Sequence, residues 1–180
     1  VADSKVYHAD VSGEAKDFGS RLHAVLDAWH RDGIRPIEPD LIEPFAKVVE
    51  WEESVYLKTI ESEGMVFSES FRFAGTADHY AEIRLNDLKP IRGILDYKCR
   101  NGKNGKRIPV YQTDRQQIGA YVFAREEMSG LRLDYGGVII FNRDANRVEP
   151  HVFQRAQLEQ PIMEFLELSR YYQLTKRRVK

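Results

Sequence analysis

The sequence predicts an α/β fold, a central mixed β-sheet flanked by helices. Two observations carry that expectation. Apolar residues recur at three- and four-residue spacings near both ends of the chain and again around Tyr121, which marks helices. Between those stretches lie short runs rich in β-branched and aromatic residues, bounded by Gly, Pro, Asn and Asp, which marks strands. Helical segments that enclose strands imply a sheet covered by helices. At 180 residues the chain is expected to form one domain, 1–180, with a real core.

The elements are expected in the following order. Val1 to Gly13 reads as a polar entry segment. Ala15 to Asp32 reads as a helix, because Phe18, Leu22, Val25, Leu26 and Trp29 build one apolar stripe. Gly33 ends it. Ile34 to Pro39 connects, and Asp40 with Glu43 resembles a capping box for a helix running to about Glu53. Val55 to Ile60, Phe67 to Phe73, Gly75 to Leu85 and Ile91 to Arg100 read as four strands, with a turn at Asn86-Asp87. Asn101-Gly102 and Asn104-Gly105 signal turns. Thr113 to Met128 returns to helical spacing. Leu131 to Phe141 and Arg147 to Phe153 form a hairpin around Asp144-Ala145-Asn146, and Leu158, Ile162, Phe165 and Leu166 mark a last helix.

Composition narrows the functions available. A net charge of −1 means that any affinity for nucleic acid must come from local basic patches. The single cysteine, Cys99, excludes an internal disulfide framework and a four-cysteine zinc or iron–sulfur site, and it fits a reducing compartment. No apolar run approaches the roughly 18 residues of a membrane span, and no signal-peptide pattern is visible. The expectation is a cytoplasmic protein with no membrane partner.

The chemistry concentrates in Gly75-Thr76-Ala77-Asp78 and Asp96-Tyr97-Lys98. Side chains alternate along a strand, so Asp96 and Lys98 share a face that Tyr97 does not. If the hairpin brings Asp78 alongside, two carboxylates and an ammonium converge. Such a set can hold a hard divalent cation beside a phosphate. On their own, the two acids read more readily as solvated turn and strand residues, and Lys98 as a surface lysine. Glu61 and Glu63 precede the Asp78 strand, and either could add a carboxylate. His23 lies beside the stripe of the first helix, where it is a structural residue or a ligand for manganese and similar metals. Gln117 and Tyr121 stand one turn apart and share a helix face. Lys98, Arg100, Lys103, Lys106 and Arg107 form an acid-free basic segment with two Asn-Gly steps, expected to be a flexible loop that attracts a polyanion. Lys176, Arg177, Arg178 and Lys180 form a second basic run.

Together these residues resemble the PD-(D/E)xK nuclease superfamily in its RecB-like and phage exonuclease branch. The Gly-x-x-Asp step is Gly75 to Asp78, the Asp-x-Lys step is Asp96 to Lys98, the Gln-x-x-x-Tyr signature is Gln117 to Tyr121, and the helix motif Gly-x-x-x-His is Gly19 to His23. Phe73-Ala74-Gly75-Thr76-Ala77-Asp78 is similar to the aromatic-Ala-Gly-Thr-x-Asp of the mitochondrial genome maintenance exonucleases and their phage relatives. Ala77 stands where that branch usually has proline. The resemblance implies a restriction-endonuclease-like core and a magnesium- or manganese-dependent deoxyribonuclease acting on single- or double-stranded DNA from its ends, in a bacterial or phage-infected cell. It implies that Asp78, Asp96, the Tyr97 carbonyl and His23 bind the metal. Glu63 is the further catalytic acid, with Glu61 as fallback. Lys98 positions the attacking water. Gln117, Tyr121, Arg100, Lys103, Lys106 and Arg107 meet the DNA. The chain departs from the members that carry an iron–sulfur cluster, which needs four cysteines that Cys99 alone cannot supply. A non-cleaving binding module and a structure-specific endonuclease are the alternatives.

Overall fold

The computed structural model describes residues 2–85 and 89–177, with side chains over 17–85 and 89–175. Among the described residues, four helices flank a five-stranded mixed sheet. In chain order these are α1 (Ala2–Asp32), α2 (Pro39–Ser54), β1 (Lys58–Ser68), β2 (Phe73–Ile83), β3 (Ile91–Arg100), α3 (Gln112–Ser129), β4 (Tyr135–Asn142), β5 (Arg147–Gln154) and α4 (Glu159–Arg177), with a 3₁₀ turn over Arg155–Leu158. The strands lie side by side in sequence order. β1–β2 and β2–β3 are antiparallel. β3 and β4 run parallel: Asp134 N–H donates to the Arg92 carbonyl at one end and Arg143 N–H to the Arg100 carbonyl at the other. The crossover between them is α3, as a parallel pair requires. No described helix is long and apolar enough to cross a membrane.

By internal packing the chain divides into two units: 1–54, 97–108 and 140–149, then 55–96, 109–139 and 150–180. In the first unit the predicted stripe is buried at Phe18, Leu22 and Leu26, and α2 buries Leu41, Phe45 and Val48. Trp29 meets Phe45 edge-on at 5.7 Å between ring centroids, and Phe18 stacks on Phe141. Gly33 ends α1 in the left-handed conformation, its N–H donating to the Trp29 carbonyl at 2.9 Å. Two expectations are corrected here. The helix begins at Ala2, not Ala15. The capping box does not form, because Asp40 accepts from Arg21 at 2.7 Å and Glu43 accepts from Asn146, so both acids serve tertiary contacts instead.

In the second unit the core is Val66, Ile83, Ile94, Leu95, Ile118, Val122, Ile139 and Leu158. β3 and α3 match their predicted bounds closely. Asp114 starts α3 by accepting the Tyr111 N–H at 2.9 Å, and Gly130 closes it. The two strands expected at Val55–Ile60 and Phe67–Phe73 are one strand, β1, and the chain turns between Ser68 and Phe73. A register shift between Thr59 and Glu61 and a left-handed Glu63 interrupt its alternation, which is why the sequence pattern breaks there. β4 begins at Tyr135 rather than Leu131, because the residues after Gly130 fold back and Leu133 N–H donates to Glu126. The turn expected at Asn86-Asp87 lies outside the described residues, as do the side chains of the last basic run.

Candidate metal and nucleic-acid site

The site is built on β1, β2 and β3. Ser62 and Gly64 pair with His79 and Ala77, so Glu63, between them, lies opposite Asp78. On the other side of β2, His79 pairs with Leu95. Continuing that register by one residue sets Asp78 across from Asp96, and cross-strand partners project to one face. Glu63 and Asp78 thus face each other on paired strands, and Asp96 lies one residue past the last β2–β3 pair. Carboxylate oxygens of Glu63 and Asp78 lie within 4.8 Å of each other. Glu63 is exposed, Asp78 half-buried, and Asp96 is 3% exposed.

The geometry distinguishes Glu63 from Glu61. Glu61 accepts from Arg125 at 2.7 Å, and that guanidinium also lies over the Tyr80 ring at 4.3 Å. Glu63 is the acid beside Asp78, and its backbone is left-handed (φ 49°). A non-glycine residue held there costs on the order of 1–3 kcal/mol and persists where surrounding structure or function demands it. Glu63→Gly is therefore expected to fold more stably than Glu63→Gln, by about 1 kcal/mol. Urea denaturation of both variants in chelator checks this. Equal midpoints would show that the backbone carries no strain at this position.

Gln117 and Tyr121 are both half-buried on α3, and Gln117 donates to the Tyr121 hydroxyl at 2.9 Å. The Tyr121 ring lies directly against Gly75, where an added Cβ would stand 2.6 Å from the ring edge. The Gly-x-x-Asp and Gln-x-x-x-Tyr steps are thus one packed unit: the bare glycine admits the ring, and the ring fixes β2 three residues before Asp78. Gly75→Ala should cost roughly 1–3 kcal/mol of stability by overpacking. Trimming the ring in Gly75→Ala/Tyr121→Leu should recover part of that loss. A double-mutant cycle by chemical denaturation measures the coupling, and strict additivity would break the assigned contact.

The first unit carries His23, Tyr97, Lys98 and Arg100. His23 is half-buried on α1, one turn beyond Gly19, and Gly19 lies close enough to β3 that an added Cβ would touch the Cys99 Cβ at 3.4 Å. Burial pushes the Cys99 thiol up to about 11, the nearby Arg143 partly opposing the shift. Lys98 is half-buried. Tyr97 points to the other face, as alternation requires, and its hydroxyl donates to Glu52 at 2.6 Å in the interior. Glu52 also meets His30 Nε2 at 3.0 Å, while His30 Nδ1 faces the Leu26 carbonyl. A carbonyl only accepts, so it is Nδ1–H that meets Leu26. This Tyr97–Glu52–His30 chain anchors β3 beneath Lys98. Sequence reasoning missed it, yet Glu52 continues the buried spacing of Phe45, Val48 and Val49 along α2, which is the signal of an acid turned inward.

The basic segment after β3 is not the flexible loop expected. Lys103 and Lys106 close a turn through the Lys106 N–H to Lys103 carbonyl bond, with Asn104 and Gly105 both left-handed, as a type I′ turn requires. Asn142 and Glu149 tie the segment from below. Asn142 Oδ1 accepts the Gly102 N–H, and its Nδ2 donates to the Lys106 carbonyl. Glu149 accepts the Ile108 N–H at 2.7 Å. Lys103, Lys106 and Arg107 are exposed.

The ligands offered by Glu63, Asp78, Asp96 and a main-chain carbonyl are all hard oxygens, which suit magnesium and manganese. Metal–oxygen distances of about 2.0–2.1 Å let one ion span oxygens about 4.2 Å apart, so small side-chain rotations fit the Glu63–Asp78 pair to one.

No known protein family and no curated protein matches this chain. Among solved structures, one similar chain is that in the crystal structure of SSO0001, at 14% identity and a TM-score of 0.36, over 73% of this chain. The chain spans 62% of that protein's length. A likeness at that level fixes neither fold nor function.

Proposed function

We propose that the protein is a magnesium- or manganese-dependent deoxyribonuclease that hydrolyses phosphodiester bonds from DNA ends. The observation that carries the reading is the close approach of the Glu63 and Asp78 carboxylates on paired strands, with Asp96 next across the sheet. Two acids brought together repel unless a cation compensates them. In this reading Asp78, Asp96, the Tyr97 carbonyl and His23 hold the ion, and Glu63 extends the set. When bound, the ion lowers the pKa of a water and stabilises charge on the phosphorus centre. Lys98, two residues beyond Asp96 on the same strand face, orients that water and offsets phosphate charge. Gln117 and Tyr121 steady the Asp78 strand and meet the DNA backbone. Arg100, Lys103, Lys106 and Arg107 supply the attraction for phosphate that a net charge of −1 does not. In this reading the enzyme works in the cytoplasm of a bacterial or phage-infected cell.

Incubation with end-labelled single- and double-stranded DNA in magnesium, manganese or chelator tests this directly. Label should be released only with metal, and closed circular DNA should survive. Metal-independent binding without cleavage would make the protein a binding module, and cutting of circles would make it an endonuclease.

A further inference from the structure

We infer that Asn142 and Glu149 are positioning residues that hold the basic segment Lys98–Ile108 as a preformed surface for the DNA phosphodiester backbone. The inference rests on the nuclease reading for its partner and on the first unit alone for its geometry. Asn142 sits at the end of β4 with no exposed surface, and Glu149 on β5 is 6% exposed. Buried polar side chains are retained at a cost unless every group is satisfied. Here most of their groups serve one segment, with Asn142 Oδ1 also accepting the Ala145 N–H at 3.3 Å. Asn142 takes the Gly102 N–H at 3.2 Å, gives to the Lys106 carbonyl at 3.0 Å, and gives to Glu149 Oε1 at 3.0 Å. Glu149 takes the Ile108 N–H at 2.7 Å and pairs with Arg147 at 2.8 Å, and Arg147 in turn reaches the Gly105 carbonyl at 3.1 Å. The segment is thereby tied at Gly102, Gly105, Lys106 and Ile108. Burial would raise the Glu149 carboxyl, but donation from Ile108, Asn142 and Arg147 outweighs it and holds the group below its ordinary range. Lys103 and Lys106 flank the type I′ turn and Arg107 follows, all exposed.

A loop ordered before binding loses less freedom when it grips a rigid polyanion. The brace is thus separable from the charge it presents, because the two predict opposite signs for one substitution. Glu149→Gln removes a negative charge from the brace of a segment that carries Lys103, Lys106 and Arg107. If charge alone mattered, DNA would bind more tightly. If the carboxylate positions the segment, binding weakens, because an amide cannot accept from Ile108, Asn142 and Arg147 together.

Binding of an end-labelled oligonucleotide in chelator, over a salt series, tests the inference without depending on cleavage. Glu149→Gln is expected to bind about 5- to 10-fold more weakly through lost preorganisation. Lys103→Ala/Lys106→Ala/Arg107→Ala should lower the slope of log affinity against log salt by about one per lost phosphate contact. In the unsubstituted protein without DNA, the amides of Gly102 and Ile108 should be protected from hydrogen exchange, which holds even if a variant fails to fold. Tighter binding by Glu149→Gln, an unchanged salt slope, rapid exchange at both amides, or no DNA binding by the unsubstituted protein would each overturn the inference. If binding and exchange behave as stated but no metal releases label, the nuclease reading fails and the braced surface stands.

Discussion

Asp78→Asn should abolish metal-dependent release of label, by roughly 10³-fold or more, about 4 kcal/mol of transition-state stabilisation. Asparagine keeps the shape of the side chain and removes the charge. The residue sits between Glu63 on β1 and the Asp96 position on β3, so it is the carboxylate common to both neighbours. Losing it also relieves repulsion against Glu63, whose oxygen lies within 4.8 Å. Stability in chelator should therefore hold or rise while activity disappears. A second readout separates lost metal from lost fold. An ion that binds only the folded state stabilises by about 2.7 kcal/mol at a hundred times its dissociation constant. Manganese should raise the melting temperature of the unsubstituted protein and leave Asp78→Asn unmoved. Asp96→Asn should behave likewise, although a residue 3% exposed leaves less room for compensation. Full cleavage by Asp78→Asn would remove these carboxylates from the mechanism.

What could be read from the sequence was local. The bounds of β3, α3 and β5 follow from runs of β-branched residues and a clean helical period, which neighbours in sequence decide. The Gly75–Asp78 and Gln117–Tyr121 steps were legible as spacings, but their meaning was not. Only the packed structure shows that the glycine is bare because a tyrosine ring from α3 rests on it. The errors are non-local. β1 reads as two strands because a register shift after Thr59 and a left-handed Glu63 break its alternation, whereas pairing with β2 carries the chain straight through. Asp40 and Glu43 have the spacing of a cap, but Arg21 and Asn146 claim them. The basic segment carries two Asn-Gly steps, and nothing in its own composition announces that Asn142 and Glu149, some forty positions away, fix it. Spacing set Glu63 ahead of Glu61, but only the packed structure shows that Arg125 on α3 pairs with Glu61.

Lys98→Ala should cut the rate at saturating DNA by about 10²-fold or more, the usual cost of removing one group that stabilises the transition state. It should leave metal binding intact or slightly improved. An ammonium has no lone pair for a metal, and its loss removes a like charge from the ion's surroundings. This split, rate lost and metal retained, is the reverse of the Asp78→Asn result, where both go together. The strand supports the distinction. Ile94 and Leu95 are fully buried ahead of it, and Tyr97 is pinned to Glu52, so β3 has anchors besides Lys98. Lys98→Arg should recover only part of the rate. A planar guanidinium spreads its charge over a fork and cannot set one compact charge where the ammonium stood. Calorimetric titration with manganese, paired with single-turnover cleavage of end-labelled DNA, reads both quantities on the same preparations. Normal cleavage by Lys98→Ala would make the lysine a bystander. Loss of metal binding together with a lowered melting temperature would make it structural, and the assigned role would be wrong.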